Sequence, residues 1–298
     1  AVSSRTDGGL PIIGSTFAEI LNSIPRQITP ASQHGYWAGG RTGPSTVTTT
    51  SRISYHNDTA KAVTKGPLNA TNGRGWFTAT SSTSYGYFAG GQPSPERSDV
   101  NRLDYSDDTS IALVKGPLSI GRSHFGGSGN ASYGYFAGGN SPSTISTIDR
   151  IDYSSDTSTA AVKGPLANAK YGNASTGNAN YGYTAAAAPE NTTVERIDYG
   201  NDTATAVVKG PLSLARMYGG FTGNTDYGYF AGYPGTRVDR VDYSNDWATA
   251  SPKGPLSQEM FGVAATGNKD NGYFGGSGPQ PAPTSMVQRV DYSNDTAT

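Results

Sequence analysis

Alternating polar and apolar residues along the chain predict short β-strands. In Arg196-Ile197-Asp198-Tyr199 the pattern has a period of two, and the following stretch, Thr203 to Val208, is rich in β-branched residues. Gly, Asn and Asp between the two stretches favour a tight hairpin because they tolerate left-handed backbone angles. Lys209-Gly210-Pro211 ends the second strand, since proline cannot donate a ladder hydrogen bond. Two further strands are predicted over Met217 to Thr222 and Tyr227 to Ala231, which completes a four-stranded unit.

The same unit recurs along almost the whole chain. A core R-[I/V/L]-D-Y-x-x-D-T, a KGPL tag and a G-Y-[F/W/T]-[A/G] segment repeat with a period of 44 to 51 residues. Six units of four short strands are typical of a β-propeller, in which each unit is one blade. We therefore predict an all-β fold, a six-bladed propeller of four-stranded antiparallel blades over residues 29–298. The six cores begin at Arg52 (with Ser54 for the Asp), Arg102, Arg150, Arg196, Arg240 and Arg289.

Residues 1–28 do not match the repeat and are predicted to be an extension used for ring closure or attachment. The sixth unit stops at Thr298, where its outer strand and KGPL tag should follow. A closed ring needs a complete last blade, so we expect a strand from residues 1–26 to complete the sixth blade. A chain cut from a longer protein is an alternative account, and the two are compatible.

The units resemble the kelch-type repeat in three features. These are the small residues that follow an aromatic strand, as in Tyr87 to Gly91 (YFAGG), the Asp-Tyr pair on the next strand, and the turn followed by a Pro-Leu ending. The resemblance implies a kelch-like propeller, a fold that hosts unrelated activities. The chain departs from the kelch pattern because the usual outer-strand Trp is missing except at Trp247, and Gly-Gly becomes Ala186-Ala187.

The near-identical units, with DYSNDTAT-like and KGPLS segments recurring, are also similar to repeat proteins predicted in virions of marine bacteriophages. This second resemblance implies a virion component in a tail, a fibre or a capsid decoration. Its partners would then be other virion proteins or a glycan or protein of the host surface.

Composition excludes several classes of partner and site. Lys and Arg number 22 against 23 Asp and Glu, so no basic excess favours nucleic acid. No apolar run approaches the 18 or so residues of a membrane span. Cysteine is absent, which removes disulfides and thiolate chemistry. The sequence therefore predicts neither a nucleic-acid partner nor a membrane span.

The Arg and Asp of each R-x-D triplet lie two residues apart on a strand and point to one side of it. They could form a charged channel, but a residue required in every unit is expected to hold units together, by pairing strands or neighbouring blades. The D-Y-S-N-D segment is interpreted as a turn rather than a calcium loop, and the KGPL lysines as solvated. The predicted structural residues are Arg102, Asp104, Arg150, Asp152, Arg196, Asp198, Arg240, Asp242, Arg289 and Asp291.

Catalysis has little support in the sequence. The histidines His34, His56 and His124 fall at non-equivalent positions of the unit and lack metal-ligand spacing. The kelch-like copper oxidases need a cysteine that this chain does not have. We therefore predict no enzymatic activity, no cofactor and no metal, although a pair of carboxylates assembled in space stays open.

One loop of the unit carries nearly all of its length variation. The spacing from the core Tyr to the KGPL Lys is ten residues in all five complete cases, whereas the G-Y glycine lies 15 to 20 residues before the next core Tyr. These loops should emerge on one face of the ring, and variation on one face often marks a binding face. The candidate ligand-binding residues in and beside them are Tyr36, Trp37, Arg41, Glu96, Arg97, Asn140, Glu190, Asn191, Tyr233, Arg237 and Gln280.

The sequence thus predicts a non-enzymatic binding and structural module. Its loops, rich in Pro, Ser and Thr, would contact a host-surface glycan or another virion protein at the surface of the particle. The alternative is a free carbohydrate-binding lectin or a glycan-active enzyme on the same scaffold, secreted to the cell exterior.

Overall fold

The computed structural model describes residues 12–14, 33–42, 45–69, 73–93, 95–276 and 285–297. They form six four-stranded sheets arranged around one axis, so the predicted six-bladed all-β propeller is confirmed. The innermost strands are Ile12–Gly14, Thr78–Ser81, Gly126–Gly129, Ala174–Gly177, Gly220–Gly223 and Val263–Gly267. The second strands are His34–Ala38, Tyr85–Ala89, Tyr133–Ala137, Tyr181–Ala185, Tyr227–Ala231 and Asn271–Gly276. The third strands are Thr50–Ser54, Val100–Asp104, Ile148–Asp152, Val194–Asp198, Val238–Asp242 and Val287–Asp291. The outer strands are Val63–Lys65, Leu113–Lys115, Ala161–Lys163, Val207–Lys209, Ser251–Lys253 and Thr296–Ala297.

Two short hairpins decorate the loops between second and third strands. Arg41–Thr42 pairs with Ser45–Thr46 in the first blade, and Asn140–Ser141 pairs with Ser143–Thr144 in the third. Two turns form 3-10 helices, Tyr199–Asn201 and Tyr243–Asn245.

The N-terminal segment closes the ring, but in a different blade from the one predicted. Ile12–Gly14 pairs in parallel with His34–Ala38 as the innermost strand of the first blade. The sixth blade uses its own outer strand, Thr296–Ala297, paired with Val287–Asp291. The prediction that residues 1–26 complete the sixth blade is therefore wrong. The first repeat begins at a second strand, so the strand that it lacked lies at the axis rather than at the rim.

Strand boundaries differ from the sequence prediction in each hairpin. The fourth blade has its outer strand at Val207–Lys209, and residues 203–206 belong to the preceding turn. The innermost strand of the fifth blade is Gly220–Gly223, shorter than the predicted Met217 to Thr222. Ala206, the last residue before the strand, donates its backbone hydrogen bond to Pro165 O of the neighbouring blade. Its amide is therefore not available to the ladder of its own sheet.

The core consists of thin layers between neighbouring blades. At each of the six interfaces the Tyr of a G-Y segment stacks on the core Tyr of the next blade, with ring centroids 4.5 to 5.1 Å apart. Near the axis, the hydroxyl of the core Tyr contacts a threonine of the preceding innermost strand at four of the six interfaces, as Tyr153 does with Thr80 at 2.6 Å. Tyr55 and Thr266 make the same contact at 2.7 Å across the first and sixth blades. The closing interface therefore reproduces the contacts of the others.

A carboxylate of the next blade receives several donors from each blade. Asp202 of the fourth blade accepts hydrogen bonds from Tyr135 and Arg150 at 2.9 and 2.7 Å, and Lys163 lies 3.2 Å away. Burial raises the pKa of Tyr135, so its hydroxyl stays protonated and donates. We call this arrangement the aspartate clamp. Its acceptors, in blade order, are Asp58, Asp108, Asp156, Asp202, Asp246 and Asp295.

The clamp shows which carboxylate each repeated arginine binds. Arg102, Arg150, Arg196, Arg240 and Arg289 bind the second Asp of the core in the next blade, not the Asp two residues away. The first Asp turns back to its own chain, as where Asp198 accepts a hydrogen bond from Gly200 N at 2.9 Å. The backbone amides two residues beyond Asp104, Asp152, Asp242 and Asp291 are bound in the same way. Arg and first Asp are thus both structural, but they serve different contacts.

In five blades the KGPL tag joins the outer strand to the next blade. Lys163 pairs with Asp202, and Gly164 N donates to the backbone carbonyl of Asp202 at 2.8 Å. A Cβ on Gly164 would lie 2.0 Å from Ala204 O, so only glycine fits this approach. The sequence predicted that these lysines are solvated at strand ends. The structure instead pairs them with a carboxylate of the next blade.

We predict that the two aspartates of one repeat differ in their contribution to stability. Asp202→Ala should lower the free energy of unfolding by about 3 kcal/mol, because it leaves Arg150 and Lys163 partly buried without their anion. Asp198→Ala, the matched control, removes only a turn cap and should cost about 1 kcal/mol. Urea denaturation measures both.

The difference should shrink in acid. Burial alone would raise the pKa of Asp202, but hydrogen bonds from Tyr135 and Lys163 and the charge of Arg150 hold it below its ordinary value. A carboxyl with a lowered folded pKa stabilises the fold above its ordinary pKa, about 4, and loses that contribution as pH falls further. Equal losses for both variants, or a gap that is unchanged at about pH 3, would contradict the assignment of Asp202 to the clamp.

Candidate functional site

The variable loops and the starts of the innermost strands lie on the same face of the ring. In the second blade the first residue of the innermost strand, Thr78, pairs with the last residue of the second strand, Ala89. The segment that leads into the innermost strand and the variable loop after the second strand therefore lie together. Antiparallel bridges join them, as at Gly75 with Gln92 and at Ser123 with Asn140. We call this side the loop face.

Buried cations hold the loops of this face in place. Arg122 is fully buried and pairs with the equally buried Asp149 at 2.8 Å. Its other guanidinium nitrogen donates to Gly138 O and Thr147 O at 3.2 and 2.9 Å, which ties down both ends of the variable loop of the third blade. Arg216 makes equivalent bonds to Gly232 O and Arg237 O in the fifth blade, at 2.7 and 2.6 Å. The buried arginine side chains thus hold these loops in place from the interior of the blade.

The partner of the buried side chain at this position differs from blade to blade. In the fourth blade the longer Glu195 faces the shorter Lys170, at 2.9 Å, where the third blade pairs Asp149 with Arg122. In the sixth blade both partners are neutral, and Gln288 Nε2 lies 3.0 Å from Met260 Sδ. Burial lowers the pKa of Lys170, and the charge of Glu195 opposes that effect. A buried charge needs a partner, and in the second blade, where Asn101 stands at the position of Asp149, the buried Arg74 pairs with Asp99 instead.

Two residues beyond each buried cation, the chain adopts a left-handed backbone conformation at the axis. The φ angles of Trp76, His124 and Tyr218 are 56°, 59° and 49°, whereas the fourth and sixth blades have Gly172 and Gly262 at this position. Left-handed angles cost a bulky residue on the order of 1–3 kcal/mol, so they persist only where surrounding structure enforces them. Three aromatic residues at such a position suggest a role other than stability.

A row of four backbone hydrogen bonds joins the residues in this conformation. His124 N donates to Trp76 O at 2.8 Å, Gly172 N to His124 O at 2.7 Å, Tyr218 N to Gly172 O at 2.9 Å, and Gly262 N to Tyr218 O at 3.0 Å. Five blades are thereby joined head to tail around the axis. Each of the four carbonyls points toward the next blade, and each residue that carries one has a left-handed φ.

The side chains of Trp76, His124 and Tyr218 belong to a continuous aromatic surface. Trp76 stacks on His124 with ring centroids 4.5 Å apart, and Tyr218 lies 5.5 and 5.8 Å from the two rings. The surface extends through Tyr171, Phe261 and Tyr233, with centroid distances of 6.2, 5.1 and 5.5 Å to His124, Tyr218 and Phe261 respectively. We call these six residues the axial aromatic cluster. All are partly exposed, and His124 Nδ1 lies 2.9 Å from Ser123 Oγ, which orients the imidazole.

The cluster borders a small depression at the axis. It has about 290 Å³ of empty space, part of it open to solvent. Its walls are formed by the residues at the starts of the innermost strands: Phe77, His124, Phe125, Gly172, Asn173, Ala174, Tyr218, Gly219 and Val263. Rings that present flat faces beside an apolar depression with few polar groups are suited to bind a ligand by stacking.

One predicted ligand residue, Tyr233, belongs to the axial cluster. The structure places Tyr36 and Trp37 elsewhere. Tyr36 is 3% exposed, and its hydroxyl donates to Asp108 in the aspartate clamp, so it is not available on the loop face. Trp37 is partly buried against the core. Both occupy a strand that is fully integrated in the first blade, and neighbouring blades cover them.

The remaining predicted residues lie on the loop face but do not converge. Arg97 pairs with Asp99 at 2.7 Å, and Asn191 Oδ1 accepts from Thr193 N at 3.1 Å. Asn140 lies in the bridge to Ser123, and Arg237 is exposed beside Ser213. Glu96 is partly exposed and Glu190 exposed; Arg41 begins the short hairpin of the first blade; Gln280 lies outside the described residues.

Sequence reasoning missed most of the cluster and all of its anchors. Trp76, Tyr171, His124, Tyr218 and Phe261 were not identified as ligand residues. A signal was present, because ten residues before the G-Y glycine the units carry Trp, His, Gly, Tyr and Gly within an otherwise uniform repeat. The axial position is therefore marked by a change of residue type at one fixed place in the repeat, and not by a change of loop length.

Among the described residues, no three His, Asp or Glu side chains converge as metal ligands, and no helix is long and apolar enough to cross a membrane. The chain matches no model of a known protein family, and a search of curated proteins finds no similar sequence. The kelch-like and virion resemblances therefore stay predictions, and what is shown is a six-bladed β-propeller.

We predict that the left-handed angle at Trp76 reverses the usual order of alanine and glycine. Trp76→Gly and Trp76→Ala both remove the indole, but only glycine adopts φ of 56° without strain. The glycine variant should therefore be more stable than the alanine variant by about 1 kcal/mol, as thermal or urea unfolding would show. A more stable alanine variant would mean that the segment relaxes and that no strain is held there.

Proposed function

We propose that this propeller is a non-enzymatic binding module that recognises a glycan on its loop face. The observation that carries the proposal is the axial aromatic cluster, in which Trp76, His124 and Tyr218 are kept in a backbone conformation that costs stability. Strained residues concentrate where a site must be preorganised. A purely structural ring would be served by glycine at all of these positions, as in the fourth and sixth blades.

The chemistry around the cluster favours a neutral polar ligand with flat apolar faces. The residues that line the depression include no carboxylate, lysine or arginine, so no charge selects an ion. A sugar ring offers an apolar face for stacking and hydroxyls for the surrounding loops. Those loops differ between blades, so each presents a different set of polar contacts around a common centre.

A glycan array on the purified ring tests this proposal. Trp76→Ala should weaken binding to any glycan that scores, by about thirtyfold, which corresponds to a hot-spot loss of about 2 kcal/mol. Trp247→Ala is the matched control, because Trp247 is 67% exposed but lies in a turn on the opposite face. Binding that Trp76→Ala leaves intact, or an array without hits, would argue against a glycan site at the axis.

We further propose the setting implied by the repeat resemblance, a phage virion component with its loop face outward. Exposed apolar residues on adjacent outer strands, such as Leu113, Val114 and Val162, give the rim a surface that a partner virion protein could cover. Electron microscopy of the native particle tests this setting. An ordered ring on a tail, fibre or capsid supports it, whereas a free monomer in the extract would leave the secreted lectin as the better description.

A further inference from the structure

The variable loop of the fifth blade is the shortest of the six. Its G-Y glycine and core tyrosine, Gly228 and Tyr243, lie 15 residues apart, whereas this spacing is 17 to 20 residues in the other blades. Each such loop lies beside the segment that enters the next blade, as where Arg122 N donates to Arg97 O of the preceding loop at 3.0 Å. The short loop therefore covers less of the loop face between the fifth and sixth blades.

A glutamate occupies the space beside this short loop. Next to a longer loop only a small residue fits, since a Cβ on Gly121 would lie 2.2 Å from Glu96 O. Glycine or alanine accordingly stands at this position in four blades: Gly73, Gly121, Ala169 and Ala215. The sixth blade has Glu259 there. The fifth-blade loop thus leaves room for a whole side chain, and the side chain that fills it carries a charge.

The carboxylate of Glu259 is held beside two rings of the axial aromatic cluster. Gly235 N of the fifth-blade loop donates to Glu259 Oε2 at 2.6 Å. Gly235 follows Tyr233 by two residues and Glu259 precedes Phe261 by two, so the carboxylate and both rings belong to the same pair of segments. Glu259 is partly exposed, and Gly235 N is its one donor among the described residues. A carboxylate has about four acceptor sites, so most of its capacity is left for a ligand.

These two rings lie beyond the reach of one sugar ring at the axis. From Trp76 through Tyr218 and Phe261 to Tyr233, successive ring centroids are 5.5, 5.1 and 5.5 Å apart. A single sugar ring stacked on Trp76 therefore leaves Phe261 and Tyr233 uncovered. The planes of these two rings meet at 73°, which makes a corner against which a second sugar unit can pack.

We infer that the axial site binds a neutral oligosaccharide, whose second sugar unit leaves the axis over the short fifth-blade loop, packs against Phe261 and Tyr233, and donates a hydroxyl to Glu259. This inference rests on the glycan-binding function proposed above and adds the length and the direction of the ligand. A hydroxyl that donates to a carboxylate makes a charge-assisted hydrogen bond, stronger than one to a neutral acceptor. Glu259 is thus the polar contact that selects the second unit, whereas the axis contributes stacking.

Oligosaccharides of increasing length test this second subsite. The probes are the malto-, cello- and chito-oligosaccharides of one to four units, titrated against the full chain by ligand-observed NMR. In at least one series the affinity should rise about tenfold from the shortest member that binds to the longer ones, the gain expected for an added aromatic contact. Tyr233→Ala should remove this gain without weakening the shortest member, whereas Trp76→Ala should weaken every member.

Glu259→Gln is the variant that tests the carboxylate itself. Its amide oxygen still accepts from Gly235 N, so the loop is retained, but the ligand loses a charged acceptor. The longer members should bind about fivefold more weakly, and the shortest member should be unaffected. Tyr171→Ala is the matched control, because Tyr171 joins the cluster through His124 and is bridged to the fourth-blade loop at Ala188. It should leave the gain with length intact.

Thermal unfolding shows that each variant forms the ring. A glycan that needs Trp76 but gains no affinity with length would overturn the second subsite and leave the glycan-binding function intact. A gain with length that survives in both Tyr233→Ala and Glu259→Gln would also overturn it, since the second unit would then lie elsewhere. Failure of every probe to bind would count against both the subsite and the glycan-binding function.

Discussion

The ring depends on one contact, the aspartate clamp between neighbouring blades. Each blade offers an arginine and a tyrosine to a carboxylate of the next blade, and in five interfaces the KGPL lysine joins them. The carboxylate would be costly to bury alone, and its donors would be equally costly without it. Because every blade is donor on one side and acceptor on the other, the contact repeats around the circle. At the last interface Arg289 and Tyr273 reach Asp58 of the first blade, and the ring closes with the same chemistry.

With the blades held together at the clamp and the tyrosine stacks, the loop face is free to diverge. The buried Arg and Lys residues anchor the loops from below, so loop length and composition change without loss of the blade interfaces. The same buried residues lie two residues before the left-handed position and fix the path of the chain toward the axis. The left-handed residues Trp76, His124 and Tyr218 take part in the row of backbone hydrogen bonds, although their side chains do not favour this conformation. Stability and the proposed binding function thus reside in separate layers of one repeat.

The proposed site uses the asymmetry that the repeat permits. Among the described residues, five blades supply equivalent backbone positions at the axis, but the side chains placed there differ, with aromatic rings in three blades and glycine in two. A symmetric scaffold can in this way present an asymmetric surface. Recognition of an asymmetric ligand such as a hexose needs that asymmetry, because its hydroxyls are not equivalent.

The sequence by itself determined the repeat, the number of blades, the strand order and the face on which the loops vary, because these depend on local pattern and spacing. Only the tertiary structure decided which carboxylate each arginine binds. Arg102 binds Asp156 in the next blade, whereas Asp104, two residues away on its own strand, accepts a hydrogen bond from Ser106 N. The tertiary structure likewise decided that residues 12–14 join the first blade and that Tyr36 is a clamp donor. It also decided that Trp76, His124 and Tyr218 meet at the axis. These contacts join residues from different blades, and a pattern that repeats within one unit carries no information about how two units face each other.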